Sequence, residues 1–122
     1  MITGLDHIAI ATPRLEETRL FFVEVLGLRE GSRPEVGVPG YWLYAGDRAI
    51  VHLFGLEEGR SQAAAALDHF ALQLSHLEDM KRRLEEHHVP YREFALPGSG
   101  RVQLLTKEPN GVTVELNFRV AI

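Results

Sequence analysis

Alternation of side chains along the first residues has the period of a strand. Leu5, His7, Ala9 and Ala11 share one side, and Ile8 and Ile10 share the other. A helix is expected over 13–26, with Thr12 as N-cap, Pro13 at the first helical position and Leu15, Phe22 and Leu26 as apolar anchors. Gly27 supplies its stop. Short strands should follow, separated by turn signals at 37–40 and at Gly46-Asp47. The same order then returns. A strand sets Leu67, His69, Ala71 and Gln73 against Phe70, Leu72 and Leu74. The capping box Ser75-His76-Leu77-Glu78 opens a helix over 76–88, with Leu77, Met80 and Leu84 on one face and Pro90 ending it. Turn signals at 97–100 and at Pro109-Asn110-Gly111 divide further strands. The last of these sets Val112, Val114, Leu116 and Phe118 against Thr113, Glu115 and Asn117.

The repetition extends to identities. Leu5-Asp6-His7-Ile8-Ala9 recurs 62 positions later as Leu67-Asp68-His69-Phe70-Ala71, with four of the five residues the same. Each half therefore reads as strand, helix and about three strands, an α+β pattern of two tandem βαβββ modules. A unit of this size buries too little surface to stand safely alone, whereas two approach ordinary domain size. The expectation is a single domain over 1–122, with module 1 at about 1–55, a connector at about 56–66 and module 2 at about 67–122.

Composition narrows the chemistry. The 122 residues are 45% hydrophobic and 25% charged, a globular mix. There is no cysteine, so thiol nucleophiles, disulfides and thiolate metal sites are excluded, and any metal must be held by His, Asp or Glu. The longest apolar runs are five residues, far short of the roughly 20 that span a bilayer. No export signal is evident, and the expected location is cytoplasmic. Thirteen basic residues face seventeen acidic ones. The basic cluster Lys81-Arg82-Arg83 sits among Glu78, Asp79, Glu85 and Glu86, a solvated helix face rather than a nucleic-acid footprint.

Four residues stand out by position. His7 and His69 occupy equivalent strand positions, and His52 and Glu115 lie 63 apart, on strands 45 and 46 residues after those histidines. A lone His on a strand is usually packed or hydrogen-bonded. A symmetry relating the halves would bring these four together, where three imidazoles and a carboxylate are costly to bury without a cation. His7, His52, His69 and Glu115 are therefore candidate metal ligands. His76, His87 and His88 read as surface residues. Tyr41, Trp42 and Tyr44 could form an aromatic wall, Arg101 and Gln103 could meet an anionic or carbonyl substrate, and Arg33 lies in a loop that could cover the site.

The blocks Leu5-Asp6-His7-Ile8-Ala9-Ile10, Leu26-Gly27-Leu28, Ile50-Val51-His52-Leu53, Leu67-Asp68-His69-Phe70-Ala71-Leu72 and Glu108-Pro109-Asn110-Gly111-Val112-Thr113-Val114-Glu115-Leu116 together resemble the vicinal oxygen chelate superfamily. It includes glyoxalases, epimerases, extradiol dioxygenases and bleomycin-binding proteins. The resemblance implies a curved, barrel-like mixed sheet with helices on its outer face, built around one divalent metal, and a homodimer. It matches His7 and His69 to first-strand ligands and Glu115 to the last-strand carboxylate. His52 takes a position that glyoxalases fill with Glu and epimerases with Gln.

Such a donor set suits zinc, nickel, iron or manganese. The leading expectation is glyoxalase- or epimerase-like proton transfer on a small oxygen-chelating substrate, with His52 or Glu115 moving the proton and Tyr44, Arg101 and Gln103 contacting substrate. Ala11 stands where glyoxalases carry the arginine that holds the glutathione carboxylate, which argues against lactoylglutathione. The alternatives are an extradiol dioxygenase, with His7, His69 and Glu115 as an iron triad and His52 as an acid–base residue, and a metal-free drug-binding module.

Overall fold

A computed structural model describes residues 1, 5–35, 37–56, 69–97 and 99–119. Most of the expected connector, together with Leu67 and Asp68 of the repeated block, lies outside the described residues. The chain divides into two compact units, Met1–Ala63 and Ala64–Ile122.

In the first unit, β1 (Ile8–Thr12) leads into α1 (Leu15–Leu20), which continues as a π-helical turn over Phe21–Val25. Three strands follow, β2 (Arg29–Gly31), β3 (Gly40–Ala45) and β4 (Arg48–Gly55). They form a mixed sheet of order β1-β4-β3-β2, in which β1 runs parallel to β4 and the other pairs are antiparallel. The second unit repeats this with β5 (His69–Leu74), α2 (Leu77–Glu86), β6 (Arg92–Leu96), β7 (Arg101–Lys107) and β8 (Thr113–Arg119), in the order β5-β8-β7-β6. Both modules thus have the βαβββ order that the hydrophobic pattern predicts, and each builds its own four-stranded sheet with one helix.

Alternation decides which side of each sheet is buried. In the first unit Ile10, Thr12, Leu43, Val51 and Leu53 join Phe21, Phe22, Val25 and Leu26 in the core. In the second, Phe70, Val102, Leu104, Val114, Leu116 and Phe118 join Met80 and Leu84. The residues between them on each strand face the opposite, more exposed side, where the candidate chemistry lies.

Both helices depart from expectation at their ends. α1 begins at Leu15 rather than at residue 13, because Thr12 belongs to the strand; its Oγ1 accepts the Arg14 N–H at 2.9 Å. The second half of this helix widens, and the Leu26 N–H reaches back to Phe21 O at 3.1 Å. The adjacent Phe21 and Phe22 both enter the core, edge to face at 5.4 Å. Gly27 then turns left-handed at φ 87°, the stop expected of it.

The capping box at Ser75 does not form. The Ser75 hydroxyl lies 2.9 Å from His76 Nδ1 and is engaged there, and His76 itself takes the N-cap position in a left-handed conformation with φ 65°. The helix ends at Glu86, two residues early, as His88 turns left-handed and the Val89 N–H closes on Leu84 O at 2.9 Å.

Candidate functional site

The strand register makes the two halves equivalent at the candidate positions. Ala9 pairs with His52 across β1 and β4, and Ala71 pairs with Glu115 across β5 and β8. His7 and His69 each lie two residues before the paired alanine, so each histidine is on the same side of its sheet as its partner. The extra residue in the second offset falls between strands and leaves this correspondence intact.

In the first unit the His7 and His52 rings stack at 3.8 Å and 12°, and His52 stacks in turn on Trp42 at 4.1 Å and 12°. Trp42 is positioned by its register opposite His52 on β3. His7 Nδ1 donates to Asp6 Oδ2 at 2.7 Å, which leaves Nε2 with the lone pair and lowers the Asp6 carboxyl below its ordinary value. His52 Nε2 lies 3.1 Å from Ala49 O; a carbonyl can only accept, so Nε2 carries the hydrogen and Nδ1 the lone pair. Burial, followed by the His7 charge, holds the His52 pKa below 6.5, and the Arg33 guanidinium adds a smaller contribution in the same direction.

In the second unit His69 Nε2 faces Glu115 Oε2 at 3.3 Å. The other carboxylate oxygen, Oε1, accepts from Gln103 Nε2 at 2.8 Å and from Asn117 Nδ2 at 3.2 Å. Two amide donors thus fix one oxygen of Glu115 and leave the other beside the imidazole. Among the described residues no three His, Asp or Glu side chains cluster closely enough to hold an ion; the candidates form two pairs, one within each unit.

The remaining candidates separate. Gln103 touches Glu115. Arg101 stands two residues away at the start of β7, exposed, and borders a different cavity. Tyr44 shares a cavity lining with Asp6, Trp42 and His52, but its hydroxyl donates to Ser32 O at 2.5 Å and Arg29 lies over its ring. Tyr41 is not part of an aromatic wall with Trp42. It points to the other side of β3, and its hydroxyl bonds to Glu16 of α1. Arg33 lies over Gly40 and donates from Nη2 to Val38 O at 3.0 Å, while its Nε is buried without a partner; a Cβ at Gly40 would collide with this guanidinium and with Leu53 O.

Sequence reasoning passed over Asp6, the Ala49 carbonyl and Asn117, which orient the candidate donors. Asp6 had a signal, since Asp-His is repeated in both halves. Asn117 shares the parity of Glu115.

Residues 4–116 match the family model described as Glyoxalase/Bleomycin resistance protein/Dioxygenase superfamily. The chain belongs to this superfamily. Its members include many enzymes that act on small molecules and commonly use a divalent metal. A curated relative, Glyoxylase I 4 of Arabidopsis thaliana, is 26% identical over 94% of this chain and 70% of its own length. A glyoxalase family protein from Bacillus anthracis is 26% identical with a TM-score of 0.76, covering 98% of this chain and 97% of its own. Lactoylglutathione lyase from Agrobacterium tumefaciens, at 19% identity and a TM-score of 0.71 over 96% and 94%, shares the fold. Among the described residues no helix is long and apolar enough to cross a membrane.

Proposed function

We propose that this superfamily member is a divalent-metal-dependent lyase or isomerase that moves a proton beside a carbonyl, on a small substrate offering two neighbouring oxygens. His7, His52, His69 and Glu115 are the residues that would hold the ion. When bound, the ion supplies Lewis-acid polarisation of substrate oxygens. The observation that carries the reading is the way the donors are prepared. His7 commits Nδ1 to a carboxylate, His52 commits Nε2 to a carbonyl, and Glu115 commits Oε1 to two amides. Metal-binding imidazoles and carboxylates characteristically have such outer partners, which fix the tautomer and orientation of the donor.

The proton is moved by His52 or Glu115. His52, kept neutral near pH 7 by burial, has a free Nδ1 lone pair to accept it. If His52 is the base rather than a fourth ligand, His52→Gln retains the metal and loses turnover. The substrate is not assigned to glutathione conjugates, because Ala11 offers no cation for a glutathione carboxylate. The superfamily resemblance extends the proposal to a cytoplasmic homodimer, which the solution mass tests.

The activity is tested with chelator-treated protein reloaded with zinc, nickel, manganese or iron(II). Deuterium uptake from heavy water next to the carbonyl of 2-oxo and 1,3-dicarbonyl compounds is expected with at least one metal. No exchange from any fully metallated form would overturn the reading. Oxygen consumption with catechols in the iron(II) form would instead identify a dioxygenase. The Trp42–His52–His7 stack favours one second reading, a module that sequesters a planar molecule on an aromatic surface. It requires binding of planar compounds by protein that takes up no metal.

A further inference from the structure

We propose that a cavity in the second unit, bordered by Arg101 and Arg119, is an oxyanion pocket that takes a carboxylate or phosphate group terminating an elongated substrate. The cavity measures about 400 Å³ and is lined by Gln73, Ser75, His76, Arg101, Asn117 and Arg119 among others. Arg101 and Arg119 are direct cross-strand partners on β7 and β8. Like charges set directly opposite on an antiparallel pair repel, so this pairing works against the fold unless something negative lies between them.

Nothing negative does among the described residues. No Asp or Glu borders the cavity, and neither guanidinium has a carboxylate partner. Elsewhere in the second unit Lys81 reaches Glu93 at 2.9 Å and Arg82 reaches Asp79 at 2.6 Å. Two unmatched guanidiniums facing one concave space complement an oxyanion, which accepts several N–H donors at once.

A second observation ties the cavity to the candidate site. Asn117 borders the cavity and donates to Glu115 through Nδ2, while its Oδ1 is buried without a partner. A hydroxyl or N–H on a ligand lying between the two places would satisfy that oxygen. β8 carries Glu115, Asn117 and Arg119 on one side. Four residues of strand at about 3.3 Å each separate Glu115 from Arg119 by roughly 13 Å. The ligand that meets both ends is therefore extended, with its reacting oxygens at Glu115, a donor group beside Asn117 and its negative charge at the arginines. The substrate length rests on the function proposed above, but the anion affinity of the cavity does not.

The test is a ¹⁵N NMR titration of the full, metal-free chain at constant ionic strength, once with acetate and once with methyl phosphate. The pocket predicts saturable shifts of the Gln73, Ser75, Arg101, Asn117 and Arg119 amides with at least one of them, and the stronger of the two identifies the tail. Arg101→Gln and Arg119→Gln should each weaken binding about tenfold. Shifts that never saturate, or that are equal in the Arg101→Gln/Arg119→Gln double variant, overturn the pocket. Saturable binding by a protein inactive with every metal would retain the pocket and remove the enzyme reading.

Discussion

Replacing Gln103 by Leu tests whether the amides around Glu115 serve a metal. Gln103 Nε2 donates to Glu115 Oε1 at 2.8 Å, the shorter of the two amide contacts, while Asn117 holds the same oxygen at 3.2 Å. Leu is close to Gln in volume, and Gln103 is only half-buried, so the fold should survive with little change. The carboxylate of Glu115 is about one-fifth exposed, so solvent can replace only part of what is lost. Outer partners of metal ligands are worth about 10- to 100-fold in affinity. Because Asn117 remains, the low end applies: about tenfold, or about 1.4 kcal/mol. Competition titration against a fluorescent chelator at pH 7.5 reads this directly. Gln73→Leu is the control, since it changes an amide on the same side of the sheet without touching Glu115. Equal affinities for wild type and Gln103→Leu, or an equal loss in the control, would refute the role assigned to Gln103.

Two further predictions concern the fold and pH. Glu108 is 2% exposed, and its carboxylate accepts the Asn110 backbone and side-chain N–H groups and the Val112 N–H. Glu108→Ala removes these bonds to partly buried donors and should lower stability by about 2 kcal/mol, read by denaturant unfolding; a loss under 0.5 kcal/mol, roughly the low end of what one hydrogen bond contributes, would contradict this account of the turn. In the metal-free protein His52 should titrate below 6.5 by NMR. With its native pKa depressed, the stability this group contributes is present above about pH 6.5 and is lost as pH falls toward the lower native value, because the unfolded chain binds the proton first. A His52 that titrates at or above 6.5 would contradict its burial.

Much of this was legible because strands have an unforgiving period. Once Ile8, Ile10, Val114, Leu116 and Phe118 are assigned to a buried side, His7 and Glu115 must face the other, and the repeat supplies His69 and the match of His52 to Glu115. What escaped depends on competition between local alternatives. Ser75 can cap the next helix or bond its neighbour, and the sequence carries both options; the His76 ring takes the hydroxyl. The π-helical turn escaped because Phe21-Phe22 fits the apolar face of an ordinary α-helix equally well, so the hydrophobic period does not mark where the helix widens. Tyr41 and Tyr44 differ from Trp42 in role through the parity of one strand and the reach of their hydroxyls to Glu16 and Ser32. Arg101 and Arg119 are far apart in sequence, and only the β7–β8 register makes them neighbours.

The central claim is that His7, His52, His69 and Glu115 serve one divalent metal. Elemental analysis of protein purified without chelator, set beside His7→Ala and Glu115→Ala, tests it most directly. The account predicts about one equivalent of a transition metal in wild type, reduced at least tenfold by either substitution. Wild type that holds no metal and takes none up on reconstitution would contradict it, as would either variant if it retained the metal in full.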